Sequence, residues 1–395
     1  MANTNLTSTQ VTREALRILH QKLNFVGNIN RQYDDKFAND GAKIGSTLTI
    51  RKPNEYTVRT GAAIQVQDVT ELSEVLTVAT QKGVDVEFTS EELTMDIDDF
   101  GTRVLEPMMS VLAANIENDA LSMYKDVYSQ VNNVGSAGTF KKILEGRKKL
   151  VDNLTPPMGL KCNLDTTLNV DVVDAMSGLF NKAGTISAQN TEGSLGRTSG
   201  FDFFENTMMP RHTSGTDDGT GDYLTDSATA QTGTSLTIDT GAGTWTDGDI
   251  FTVAGVNRVH PETKADTGVL QQFTVDGAVS ASATTISFTP EIIASGARQN
   301  VSNGAANNSA LTKVGGASAA YDISLAYHPD AFTFVTADLR KPSGVDFCAR
   351  EVMDGISMRI VSDYDITNDT FPTRIDVLYG YKTIRAQLAT RLANN

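Results

Sequence analysis

Apolar residues recur at three- and four-residue spacing over Val11, Ala15, Leu16, Ile18, Leu19, Leu23 and Val26. That spacing predicts a helix behind a polar, Thr/Asn-rich start. Asn28 to Asp40 is polar and charged and closes on Asn39-Asp40-Gly41, a turn signal. From Ser46 the period becomes two. Leu48 and Ile50 alternate with Thr47 and Thr49, and the alternation returns at Leu76-Thr77-Val78 and at Val84 to Phe88, which predicts strands. The stretch Tyr56–Thr70 between them is long, charged and extended, with too few apolar residues to bury itself against its own domain. It reads either as a mobile surface loop or as an arm ordered by a neighbouring subunit, and both stand open at this point.

Thr89-Ser90-Glu91-Glu92 has capping-box spacing. Past the acidic residues Asp96–Asp99, the positions Val104, Met108, Val111/Leu112, Ile116, Ala120, Met123/Tyr124 and Val127 mark one face of a helix about twenty-five residues long. Pro107 fits its first turn, where a missing N–H costs nothing. Its Met and aromatic stripe reads as core packing. A second amphipathic helix is predicted from Phe140 to Leu154, stopped by Pro156-Pro157, and a third over Leu168–Phe180. From Thr213 to Tyr321 the composition shifts to Thr, Gly, Ser and Ala, with four basic residues (Arg258, Lys264, Arg298, Lys313). Short alternating segments at Leu236/Ile238, Ile250–Val253, Val269–Val275, Ile286/Phe288 and Leu311/Val314 predict a small β-barrel or sandwich. Mixed helix and strand resume on its far side, so this stretch reads as a domain inserted into a host domain. Strands at Ile323–Tyr327, Met358/Ile360 and Ile375–Tyr381 follow, and a short helix from Ile384 is predicted to end the chain.

The formal charge of the 395-residue chain is −15. That sign argues against a protein that coats or reads nucleic acid, which needs clustered Lys and Arg, and against adhesion to an anionic membrane. No apolar run reaches the length of a membrane span, and the start lacks a secretory pattern. Cys162 and Cys348 imply no disulfide framework.

The chemistry-bearing residues form no recognisable constellation. The histidines His20, His212, His260 and His328 have no zinc-ligand spacing. Asp96–Gly101 begins like a calcium loop but puts Phe100 and Pro107 where oxygen ligands are required. Asp217–Asp222 reads as a solvated acidic loop. No phosphate-binding glycine loop, nucleophile elbow or paired acid and base stands out, so no catalytic residue, metal site or cofactor is assigned.

In order along the chain, several segments resemble the major coat proteins of tailed double-stranded DNA bacteriophages, in the group that carries an insertion domain. They are Asp34–Ala38 with Thr47–Pro53; Gly193–Arg197 running into Gly200–Phe204; Met209–Thr213; Gly248–Val256 with His260–Lys264; and Gly355–Arg359 with Tyr364–Ile366 and Arg374–Gly380. The resemblance implies an α+β fold shared with tailed-phage and herpesvirus capsids. Its expected parts are an N-terminal arm (1–45), an extended two-stranded loop (46–88), a peripheral domain with a spine helix (89–155 and 357–395), an axial domain (156–212 and 322–356) and an inserted all-β domain (213–321). It implies a structural protein, not an enzyme, that assembles through pentamers and hexamers into an icosahedral shell around double-stranded DNA, without sequence-specific binding and without membrane. Scaffolding and portal proteins are expected partners, with assembly in the host cytoplasm and residence in the virion. In such a subunit the extended loop has a purpose, and Arg51, Lys52, Glu55 and Arg59 become candidate intersubunit contacts that set register more than affinity. A β-rich adhesion or receptor-binding protein is the alternative; it explains the Thr/Gly-rich middle but not the mixed sequence resuming after Tyr321.

Overall fold

The computed structural model describes residues 8–31, 46–67, 71–89, 105–176, 195–218, 223–239, 241–353 and 355–394. The turn at Asn39–Gly41, Ser90–Glu92 of the capping box, the acidic run Asp96–Gly101, and the segments Asp34–Ala38, Leu179-Phe180 and Gly193-Ser194 lie outside them. The chain divides into two compact units, one of Met1–Arg51, Ser73–Ala120 and Phe332–Ile384, the other of Lys52–Leu72, Leu121–Ala331 and Arg385–Asn395.

The first unit is built on the 14-residue strand Thr370–Thr383. One edge of it pairs antiparallel with Thr80–Thr89, and the other pairs in succession with Ile356–Ser362 and Phe332–Ala337. Phe347–Met353 adds a further antiparallel strand beside Ile356–Ser362. The predicted N-terminal helix is present as Ser8–Lys22, with Ala15, Leu16, Ile18 and Leu19 buried. The chain then enters the turn Phe25–Asn28, whose Phe25 and Val26 N–H groups donate to the buried carboxylate of Glu117 at 3.1 and 3.3 Å. These amides begin a helical turn and have no partner within it, so the carboxylate supplies one.

Glu117 belongs to the helix Glu106–Leu121, which has Pro107 in its first turn and buries Met108, Met109, Leu112, Ala113 and Ile116. At 16 residues it is shorter than the predicted twenty-five. The backbone tightens into a 3-10 turn at Ser122–Asp126 and becomes extended at Val127, so the apolar spacing continues while the α-helix does not. The extended loop has a paired base: Ser46–Arg51 runs antiparallel to Ser73–Val78, in register from Ser46 opposite Val78 to Arg51 opposite Ser73. The apolar face of this hairpin (Leu48, Ile50, Leu76, Val78) packs on Val335, Ala337, Leu339, Leu378 and Ile384. Gly380 makes that approach possible, since a Cβ there would lie 2.4 Å from the Thr77 carbonyl oxygen.

The second unit contains a mixed sheet in the order Gln130–Asn132, Ala389–Asn394, Ala320–Tyr327, Leu160–Leu164, Phe201–Glu205 and Arg197-Thr198, with Arg211–Thr213 also pairing to Ala320–Tyr327. Helices Phe140–Asp152 and Thr166–Met176 contribute Ile143, Leu150, Leu168 and Val172 to a core shared with Leu160, Cys162, Leu164 and Phe201. The expected C-terminal helix is absent here. A single 3-10 turn, Ala386–Leu388, leads into the strand Ala389–Asn394, every residue of which is buried. Ala, Leu and Arg are good helix formers, but burial on both faces and a ladder partner on each side select the strand.

Within the same unit, Leu311–Lys313, Ile250–Val259, Asp266–Val275, Thr285–Ile292 and Gly233–Thr237 form an antiparallel five-stranded sheet in that order. The segment Tyr223–Asp226 bonds to both edges, through Leu311 N to Tyr223 O and Asp226 N to Thr237 O (each 3.0 Å), and curls the sheet around its own core. Trp245, Tyr223, Phe251, Phe273 and Phe288 fill that core, with ring centroids 5.1–6.3 Å apart.

Candidate assembly interface

Beyond the paired base, Lys52 N donates to Leu72 O at 2.7 Å and the loop opens. Gln67 then closes it from inside. Its Oε1 accepts the Thr57 N–H at 2.8 Å and its Nε2 donates to Thr57 O at 2.5 Å, so one side-chain amide does the work of a strand pair. The Arg59 guanidinium donates to the Gly61 and Ala63 carbonyls of the same loop. The loop thus spends its polar groups on its own shape and turns its apolar groups outward: Val58 is 94% exposed, Val66 89%, Ile64 82% and Tyr56 59%. Large exposed apolar patches mark surfaces that meet other molecules, and this loop gathers four of the exposed large apolar side chains.

The four charged candidates do not converge. Arg51 is exposed at the last paired position, Lys52 is half-buried, and Glu55 meets Lys264 at 3.7 Å. Arg59 holds the loop's carbonyls. The sequence reading named the charges and passed over Val58, Ile64 and Val66, whose signal was an apolar residue at nearly every second position of a polar stretch.

Inside the second unit, a sealed polar node surrounds Asp249. His212 Nε2 lies 2.8 Å from Oδ1 and Lys313 Nζ 3.3 Å from Oδ2, and the N–H groups of Thr246 and Gly215 donate to Oδ2 at 2.8 and 3.0 Å. Burial pushes the Asp249 carboxyl up, but the His212 bond, the Lys313 charge and the two amides outweigh it and hold it below the ordinary value. Tyr124 OH lies 3.1 Å from His212 Nδ1. Fully buried Arg391 donates to Val127 O at 2.7 Å, Gly248 O at 2.8 Å and Thr274 Oγ1 at 3.3 Å, and burial brings its pKa down to about 10. With 2% of His212 and 1% of Asp249 exposed, the node is closed to any substrate and organises the fold around it. Burial likewise pushes the Cys162 thiol up, which leaves it a poor nucleophile. Among the described residues no group of His, Cys, Asp or Glu is placed to hold a metal, and no helix is long and apolar enough to cross a membrane.

Residues 217–390 match the family model of the P22 coat protein (gene protein 5). A solved structure from Mycobacterium phage Che8 superposes on 94% of this chain and 90% of its own, with a TM-score of 0.51 and 10% identity. Over residues 217–390 the chain is similar to a tailed-phage coat protein. Its mixed helix-and-sheet architecture is that of the phage capsid fold, as the resemblance implied. The capsid of Cyanophage P-SCSP1u (TM-score 0.46, 10% identity, 90% of this chain and 84% of that one) and the mature capsid of bacteriophage PhiM1 (0.44, 10%, 89% and 82%) are similar as well. No curated protein sequence matches the chain. The adhesion alternative has nothing to rest on.

Proposed function

We propose that this chain is a coat protein that forms an icosahedral shell of five- and six-membered rings around double-stranded DNA, and that the loop Lys52–Leu72 lies across a neighbouring subunit. The single observation that carries the reading is the loop itself, which holds a fixed shape and presents Val58, Ile64 and Val66 almost fully exposed. An isolated subunit gains nothing from that arrangement. Burying these side chains on a neighbour contributes about 1.5–3 kcal/mol each before ordering costs, repeated at every copy. Rings of identical subunits meet through head-to-tail contacts, and only those that close yield a finite particle.

The remaining roles follow from the same reading. The chain plays no enzymatic part, it meets scaffolding and portal proteins during assembly in the host cytoplasm, and its net charge of −15 leaves the enclosed genome mobile instead of adsorbed. The segments 213–321 and 46–88 act as the inserted and extended parts of the subunit. Negative-stain microscopy of the purified full-length chain, with and without a scaffolding partner, tests the proposal: closed shells, rings or polymorphic shells are expected. Monomer alone across a range of salt and partner conditions defeats it.

A further inference from the structure

Among the described residues, one face of the sheet in the first unit carries a hairpin over part of its width and a charged row beside it. The hairpin of Ser46–Arg51 and Ser73–Val78 packs over Val335, Ala337 and Leu378. Beyond that cover the same face carries a cross-strand row, Arg350 opposite Arg359 and Arg359 opposite Asp376, with Arg374 two residues from Asp376. Arg350 meets Asp338 at 3.1 Å, and Arg359 and Arg374 share Asp376 at 2.6 and 2.8 Å. Arg359 also donates to Arg340 O at 2.7 Å, which sets the exposed Arg340-Lys341 at the rim. Against these five cations stand Asp338, Asp376, Asp85 and Glu87, the last two opposite Arg374 and Pro372 on the next strand. Two like charges directly opposite on neighbouring strands are unfavourable, and the row remains positive.

The turn that joins Ile356–Ser362 to Thr370–Thr383, the apex of a second hairpin in this sheet, has the opposite sign. Asp363, Asp365 and Asp369 surround it, and the pairing of Phe347 with Ser362 places Asp346 beside them. The apex is held rigidly: Asp365 accepts Thr367 N at 2.8 Å and Asn368 Nδ2 at 2.9 Å, and Tyr364 OH donates to Asp369 at 3.0 Å. What this framework displays is Ile366, 85% exposed, with Tyr364 at its side. From Asp369 to Arg374 the extended chain covers roughly 16 Å, so the apex cannot fold back onto the arginine row of its own sheet.

We propose that the hairpin apex of one copy, Ile366 with its collar of carboxylates, docks on the Arg340–Arg350–Arg374 face of the next copy. The occupant is chosen by charge: the apex is acidic and apolar, the exposed rim of Arg340, Lys341 and Arg374 is basic, and both belong to this chain. Because donor and acceptor surfaces differ, the contact is head-to-tail and repeats around a rotation axis. It rests on the shell reading and names a second seam within it, separate from the loop Lys52–Leu72.

The test uses the full-length chain. I366S, D363K and R340E/K341E alter exposed side chains, so each is expected to keep the wild-type unfolding midpoint. Each should lower particle yield by about tenfold or more, the equivalent of 1.4 kcal/mol per contact. D363K combined with R340E/K341E restores yield by exchanging the signs. Under oxidation, the I366C/K341C chain gives covalent oligomers linked between copies. Single variants that assemble at wild-type yield, or cysteines that do not link copies, overturn this contact and leave the shell reading intact. A wild-type chain that forms no particles overturns both.

Discussion

Asp249 shows at residue scale how the fold tolerates charge in its interior. The carboxylate is buried, yet four donors converge on it, and the balance of those donors against burial lowers its pKa. The sign for stability follows directly. A folded-state pKa below the unfolded one means that the native state binds fewer protons, so the contribution is complete above the ordinary carboxylate pKa of about 4 and fades as pH falls through the lowered value. Asp249→Asn should therefore cost about 3–5 kcal/mol at neutral pH, by leaving buried Lys313 and His212 without their anion. The difference from wild type should shrink in acid. Urea unfolding of both chains at pH 7 and pH 3.5 measures this, and an equal difference at both values would mean that shape, not charge, sets the cost. Glu117 works on the same principle with backbone amides in place of side-chain cations. Neither carboxylate was legible in the sequence, because an acidic chain offers many and only burial singles them out.

Elements were legible where their pattern is local. The N-terminal helix, the hairpin at Ser46–Arg51 and Ser73–Val78, the position of Pro107 and the helix from Phe140 all follow from periodicity and turn chemistry. The strand Ala389–Asn394 was not, because its identity depends on neighbours in the sheet some sixty to two hundred and sixty residues away. The length of the helix from Glu106 was overestimated for a related reason: apolar spacing cannot distinguish an α-turn from the 3-10 turn that succeeds it. Gly380 connects sequence to packing at this scale. Its missing Cβ admits the Thr77 carbonyl, so Gly380→Val should lift the hairpin off the strand Thr370–Thr383 and weaken the Leu48, Ile50, Leu76 and Val78 contacts. A loss of about 1–3 kcal/mol by denaturant unfolding is expected, with faster proteolysis at the hairpin base. Unchanged proteolysis would show that the sheet accommodates the side chain and that the close approach is dispensable.

For the whole molecule, the question is whether the loop Lys52–Leu72 serves the subunit or the shell. Its ion pair to the rest of its own unit, Glu55–Lys264 at 3.7 Å with Glu55 half exposed, contributes about 0–1 kcal/mol. The base of the hairpin is complete at Arg51 opposite Ser73, so the cut falls beyond the last strand pair. Replacing Glu55–Thr70 by Asn-Gly therefore removes Val58, Ile64 and Val66 and leaves the paired strands of the base intact. The shortened chain should unfold within about 1 kcal/mol of wild type, since shortening an exposed loop changes closure entropy only slightly. It should nevertheless fail to form stable closed particles, because each subunit loses the apolar area it offers its neighbour. Sedimentation and electron microscopy of the two chains separate the outcomes. A folded variant that stalls as monomers or small rings places the loop's role between subunits. Normal particles from the same variant would move the burden of assembly to the globular units and leave the loop's exposed valines and isoleucine without a purpose.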